Sequence, residues 1–179
     1  MEAALQREPG SVAQQAFVRL ADRELHRAYR LAGLILGNQH DAEDATQDAL
    51  MRAWAASSSL HSWDDFQAWF DRILVNLCRD RLRRRRLLSF TPMAGEHDRP
   101  DIDQFQQVIA QDEVLRAMSV LDADLRTVVV LRYWADLPVD AIAQRVGVPS
   151  GTVKSRLNRA LGLMRDAVAA DARRAEESK

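Results

Sequence analysis

The chain has 179 residues, 47% of them hydrophobic, with 25 basic and 26 acidic side chains and a net charge of −1. That length suits one domain or two small ones, and that apolar content excludes wholesale disorder. Seven glycines and five prolines, about 7% of the chain against a usual ~12%, favour helices over a many-stranded sheet. The single cysteine, Cys78, excludes an intramolecular disulfide framework. No apolar run approaches the ~18 residues that span a bilayer. The first residues carry Glu2, Arg7 and Glu8 with no apolar core, unlike a signal peptide. A soluble, cytoplasmic protein without membrane insertion is expected.

The pattern predicts an all-α chain of two small helical domains, 11–87 and 104–172, joined by a flexible linker over 88–103. A first helix starts near Ser11, with Phe17, Leu20, Ala21, Leu25, Ala28 and Leu31 at steps of three and four. Gly37 and Asn38 end it, and Asp41 is expected to N-cap a second helix. That helix lines up Ala42, Ala45, Ala49 and Ala53, small enough for another helix to come close. Ser62 is expected to cap a third helix. Its apolar face is Phe66, Trp69, Phe70, Ile73, Leu74 and Leu77. Arg72, Asn76, Arg79, Asp80 and Arg83 form its polar face, a row of arginines expected to point away from the core.

The linker holds two prolines, a glycine and four acids without periodicity. The second domain opens with an apolar-periodic segment containing Phe105, Val108, Ile109, Val114, Leu115 and Met118. A helix from about Asp124 to Trp134 follows, then Pro138, Ala143, Gly147 and Val153. Ala143 is small where two helices must cross, Gly147 suits a left-handed turn, and Val153 is an apolar plug. These are the requirements of a helix-turn-helix. The charged tail from Arg173 is expected to fray.

At 100° per residue, Val153, Leu157, Ala160, Leu161 and Met164 of the second helix of this motif form one stripe. Thr152, Ser155, Asn158 and Arg159 lie opposite, with Lys154 and Arg156 at the boundary. Hydroxyl, amide and guanidinium groups can read base edges, and the flanking cations suit phosphates. Residues 145–165 carry five bases and no acid, and residues 72–86 carry seven arginines against Asp80 alone. Two such basic patches are the footprint of a nucleic-acid binder.

The segment from Val148 through Pro149, Ser150, Gly151, Thr152, Val153, Lys154, Ser155, Arg156, Leu157, Asn158 and Arg159 to Ala160 resembles region 4 of bacterial extracytoplasmic-function (ECF) sigma factors. Asp41-Ala42-Glu43-Asp44-Ala45-Thr46-Gln47-Asp48 and the following residues to Trp54 resemble their region 2.2. Ala68-Trp69-Phe70, Asn76 and Arg79-Asp80-Arg81-Leu82-Arg83 resemble regions 2.3 and 2.4. The resemblance covers about 15–168 and implies a factor that binds core RNA polymerase and directs it to promoter DNA. It implies −35 contacts from Ser150, Thr152, Lys154, Ser155, Arg156, Asn158 and Arg159. It implies −10 contacts from Arg72, Asn76, Arg79 and Arg83, with a flipped base read from residues 59–64. Trp63, Phe66, Trp69 and Phe70 read as core rather than as stacking platforms for that base. Polymerase docking would fall to Asp44, Gln47, Asp48, Leu50 and Trp54. Asp44 and Asp48 are like charges four apart on a helix, which an external cation would relieve, unless Arg52 already pairs with Asp48. Many members of the family are held by an anti-sigma factor.

No catalytic constellation stands out, so no enzyme activity is expected. Gly147 to Ser155 fails the phosphate-loop pattern because two residues separate Gly151 from Lys154. His26, His40, His61 and His97 lack ligand spacing, and neither a metal nor a cofactor is expected. The alternatives are a polymerase-independent helix-turn-helix regulator, which would need a dimer seam, and an adaptor that docks on polymerase without reading DNA.

Overall fold

The computed structural model describes residues 9–60, 62–89 and 113–177. The linker beyond residue 89 and the segment bearing Phe105, Val108 and Ile109 lie outside these residues. All described regular structure is helical. The first body comprises α1 (Pro9–Leu36), α2 (Gln39–Ala55), two 3-10 turns (Ser57–Ser59 and Trp63–Asp65) and α3 (Phe66–Ser89). The second comprises α4 (Glu113–Met118), α5 (Ala123–Tyr133), α6 (Val139–Val146) and α7 (Ser150–Glu177). The charged tail continues α7 to Glu177 rather than ending it at Arg173.

The apolar steps read from the sequence become buried faces. Ala28, Leu31, Ala32 and Ile35 of α1 meet the alanine row of α2, all four members of which are buried. Phe66 is the centre of an aromatic cluster, with ring centroids 5.6 Å from Phe17 and 5.7 Å from Phe70. Phe66 and Phe70 are core, and burial of each contributes about 1.5–3 kcal/mol. Trp63 and Trp69 are half-buried and pack on that core. Cys78 is fully buried, and burial pushes its thiol up to about 12, so it is chemically quiet at neutral pH.

Helix starts differ from expectation by a few residues. Asn38, not Asp41, caps α2, because its extended backbone lets Oδ1 accept the Asp41 N–H at 2.8 Å. Ser62 caps the 3-10 turn leading into α3, accepting from the Asp64 N–H. Asp122 caps α5, accepting from the N–H groups of Asp124 and Leu125. Pro138 stands at the N-cap of α6, one residue before the first turn.

Helices α1 and α3 carry the second body. α5 lies against both, and α6 lies against α3. At this seam Arg126 reaches from α5 and donates to the Leu34 carbonyl at 2.9 Å, where the last turn of α1 leaves its carbonyls unpaired. Burial, followed by the charge of Arg85, brings the Arg126 pKa down to about 10, so it remains protonated at pH 7. Gly37 has φ +69°, and a Cβ there would stand 2.9 Å from the Arg126 guanidinium. Gly147, at the turn of the helix-turn-helix, has φ +70° with open space around it.

The two glycines therefore make a paired prediction. Gly147→Ala carries only left-handed backbone strain, about 1 kcal/mol. Gly37→Ala carries that strain and also displaces Arg126, so it costs more in urea denaturation. Equal losses would show that the Arg126 seat does not constrain Gly37.

Candidate nucleic-acid interface

The helix-turn-helix is built as its spacing requires. The C-cap Gly147 donates to the Ala143 carbonyl at 2.9 Å in the left-handed conformation. Val153, Leu157 and Ala160 are buried as one stripe of α7. Lys154, Ser155, Asn158 and Arg159 are exposed on the opposite side. Ser150 and Thr152 are half-buried. The Ser150 hydroxyl donates to Asp140 at 2.5 Å, tying the start of α7 to α6.

Arg156 sits at the boundary of the stripe and turns inward. Its Nη2 donates to Asp124 Oδ2 at 3.0 Å, while Nη1 is buried without a hydrogen-bond partner among the described residues. Such a donor costs about 1–3 kcal/mol.

The arginine row of α3 divides. Arg72, Asn76 and Arg83 are exposed, but Arg79 is 9% exposed and faces the second body. The expectation that the whole row points away from the core is corrected here. α5 and α6 cover this side of α3, which a reading of one domain at a time could not show.

Arg79 places Nε 2.9 Å and Nη2 2.8 Å from Asp124 Oδ1, and its Nη1 donates to the Val146 carbonyl at 3.1 Å. Arg83 donates to both Asp124 oxygens, at 2.9 and 3.1 Å. One carboxylate of α5 thus gathers two arginines of α3 and one of α7. Partial burial pushes the Asp124 carboxyl up. The hydrogen bond and charge of Arg79, with the charges of Arg156 and Arg83, outweigh this and hold it below the ordinary 3.8. Three guanidiniums around one carboxylate leave a local charge of +2. Arg83 is half exposed, so its leg is weak, whereas the buried leg of Arg79 is strong.

A second carboxylate is used in the opposite direction. Asp71 of α3 is fully buried between Arg27 of α1, at 2.5 Å, and Arg145 of α6, at 3.1 Å. Burial acts to lower the Arg27 pKa, but the hydrogen bond and charge of Asp71, then of Glu24, raise it overall. Arg145 also donates to the Ala141 carbonyl. Sequence spacing alone gives no role to Asp124, Arg27 or Arg145. Asp71 did carry a signal, because Leu74, Val75 and Cys78 follow at steps of three, four and seven, all fully buried. A charge in that row implies a buried partner. Asp124 looks like any acid in a helix's first turn.

The polymerase-facing candidates lie elsewhere, on α2. Asp48 and Asp44 pair with Arg81 of α3, at 2.6 and 3.7 Å, so Arg81 rather than Arg52 relieves their repulsion. Asp41 pairs with Arg85. Gln47 is exposed, and Leu50 lines a groove of about 740 Å³ with Leu25, His26, Tyr29 and Gln47. Trp54 is 47% exposed, with its ring packed edge-on against Phe17 at 5.1 Å. Among the described residues no cluster of His, Cys, Asp and Glu could hold a metal ion, and no helix is long and apolar enough to cross a membrane.

Residues 12–87 match the family described as Sigma-70 region 2, and residues 111–164 match Sigma-70, region 4. A two-body helical chain with these two regions in this order is of the sigma-70 class. ECF RNA polymerase sigma factor SigE of Mycolicibacterium smegmatis is 34% identical over 156 residues, 84% of this chain and 60% of that protein's length. ECF RNA polymerase sigma factor SigW of Bacillus subtilis is 31% identical over 163 residues, covering 82% of this chain and 85% of SigW. The sigma factor RpoE of Bartonella quintana, solved in complex with the anti-sigma factor NepR, is similar in structure. Its TM-score is 0.64 at 25% identity, over 87% of this chain and 98% of that one. The chain belongs to the family of ECF RNA polymerase sigma factors.

The lowered Asp124 pKa fixes the pH dependence of its contribution. A depressed carboxylate contributes stability that is fully present above its unfolded value, near 3.8, and lost as pH falls through its lower folded value. The stability difference between the wild type and Asp124→Asn should therefore stay constant from neutral pH down to about 5, begin to fall as pH approaches 3.8, and disappear only below the lower folded value. Urea titrations across that range check it, and a difference that shrinks between pH 8 and 6 would contradict it.

Proposed function

We propose that the chain binds core RNA polymerase and directs it to promoters, reading −35 through α7 and holding melted −10 DNA on α3. The observation that carries this reading is the exposed, acid-free face of α7, where Lys154, Ser155, Asn158 and Arg159 stand together above a buried Val153 stripe. Asn158 and Arg159 suit base edges, and Lys154 suits a phosphate. Ser150, Thr152 and Arg156 complete the −35 set once Asp140 and Asp124 release two of them. Arg72, Asn76, Arg79 and Arg83 form the −10 set.

Asp44, Gln47, Asp48, Leu50 and Trp54 are proposed to dock on polymerase. The acids keep roughly half their surface although paired with Arg81, and Trp54 offers an apolar face beside them. The proposed work is differential binding of one promoter class, in the cytoplasm, with no reaction catalysed by the chain itself. An anti-sigma factor is proposed as a further partner, by analogy with the Bartonella quintana protein. The polymerase-independent regulator is not favoured, since it leaves the α2 surface without use.

Arg159→Ala tests the reading. It should leave affinity for core polymerase unchanged and reduce promoter-specific initiation by about tenfold, the effect of losing one base contact worth ~1–3 kcal/mol. Unchanged run-off transcription would remove α7 from promoter reading. Asp48→Arg with Trp54→Ala should do the reverse, lowering retention on core polymerase in a pull-down.

A further inference from the structure

The residues proposed to dock on polymerase share one side of α2, and at the middle of that side stands Met51. At about 100° per residue, with Met51 as the origin, Asp44 and Asp48 lie about 20° and 60° to one side. Gln47 and Trp54 lie about 40° and 60° to the other, and Leu50 about 100°. The buried row of Ala42, Ala45, Ala49 and Ala53 lies opposite. Met51 therefore points out of the bundle. It is 72% exposed, more than any other large hydrophobic side chain among the described residues.

A hydrated thioether does nothing for the free chain. Its use is to a partner, because methionine is enriched where apolar anchors sit at the centre of an interface, inside a polar rim. Asp44, Asp48 and Gln47 supply such a rim, the two acids each with 47% of their side chains exposed, and the exposed ring of Trp54 extends the apolar centre. Methionine also has a chemistry that leucine lacks. Oxidation at sulfur turns a flexible apolar side chain into a polar one and disrupts interfaces built on it. The other sulfur atoms are placed differently. Met118 and Cys78 are fully buried, the Cys78 thiol stays protonated at neutral pH, and Met164 is half-buried. Met1 and Met93 lie outside the described residues.

We propose that Met51 is the apolar anchor of the polymerase-docking face and a peroxide-sensitive modification site, whose conversion to the sulfoxide releases the chain from core polymerase. The inference rests on the docking reading of α2. In the step, the thioether sulfur attacks one oxygen of hydrogen peroxide. The S–O bond forms as the O–O bond breaks, the proton on the transferred oxygen passes to the departing hydroxide, and water leaves. Sulfur is oxidised by two electrons and the peroxide is reduced by two. The new oxygen is an acceptor one turn from Asp48, itself an acceptor, so closing a partner over this face then buries a polar group that α2 cannot satisfy. Methionine sulfoxide reductase reverses the change.

The full chain is treated with hydrogen peroxide, mapped by peptide mass spectrometry and titrated with core polymerase. Met51 should gain one oxygen ahead of Met118 and Met164. Affinity should then fall on the order of tenfold, the weight of one buried apolar side chain, and return after reductase treatment. Met51→Leu should bind like the untreated wild type and keep its affinity through peroxide, although the remaining methionines still oxidise. Met51 oxidised with affinity unchanged would overturn the proposal. So would a Met51→Leu chain that peroxide weakens as much as the wild type, or a Met51 that stays unoxidised while Met164 reacts. Asp48→Arg with Trp54→Ala separates this inference from the reading beneath it. If that variant loses polymerase while Met51 oxidation has no effect, the docking face stands and the role of Met51 falls. If neither has an effect, the docking assignment has failed and the proposal falls with it.

Discussion

Each helical body lends one carboxylate to arginines of the other. Asp71 leaves α3 to hold Arg145 of α6, and Asp124 leaves α5 to hold Arg79 and Arg83 of α3. Within its own body each carboxylate keeps a single arginine, Arg27 for Asp71 and Arg156 for Asp124. A fully buried Asp71 without Arg145 would lose one of its two guanidinium partners, and a buried charge needs such partners to offset its desolvation. Arg79 without Asp124 would be a buried guanidinium with only the Asn76 amide and the Val146 carbonyl beside it. The reciprocal exchange fixes how the two bodies sit, and so decides which basic side chains reach solvent.

Local order was legible because it depends on local periodicity. The alanine row of α2, the Phe66 to Leu77 face of α3 and the Val153 stripe are all buried, as their spacing requires. Gly147 adopts the left-handed turn its position calls for. The errors cluster where the partner is distant in sequence. Arg79 reads as a surface cation because an isolated helix shows only one apolar face, while α3 is covered on two sides. Asp124 is separated from Arg79 by 45 residues and from Arg156 by 32. No spacing rule connects them. At the start of α2 the ambiguity is local, since Asn38 and Asp41 both suit a helix start and only the extended backbone at Asn38 chooses between them.

The same seam separates the proposed functions in space and in energy. The α2 acids are held by Arg81 and Arg85, on a part of α3 that leaves the Asp124 cluster undisturbed. Their partial exposure makes those pairs worth little to stability and easy to share with an external cation. The basic residues of α3 and α7, by contrast, divide into a free set, such as Arg72 and Arg159, and a withheld set around Asp124. A chain with a net charge of −1 can therefore present cationic faces without being cationic overall.

The central claim is that this chain selects where RNA polymerase begins. Run-off transcription with core polymerase over a genomic promoter library tests it directly. Adding the chain should produce discrete start sites preceded by a shared pair of upstream elements, absent with core polymerase alone. A transcript profile that is the same with and without the chain would contradict it.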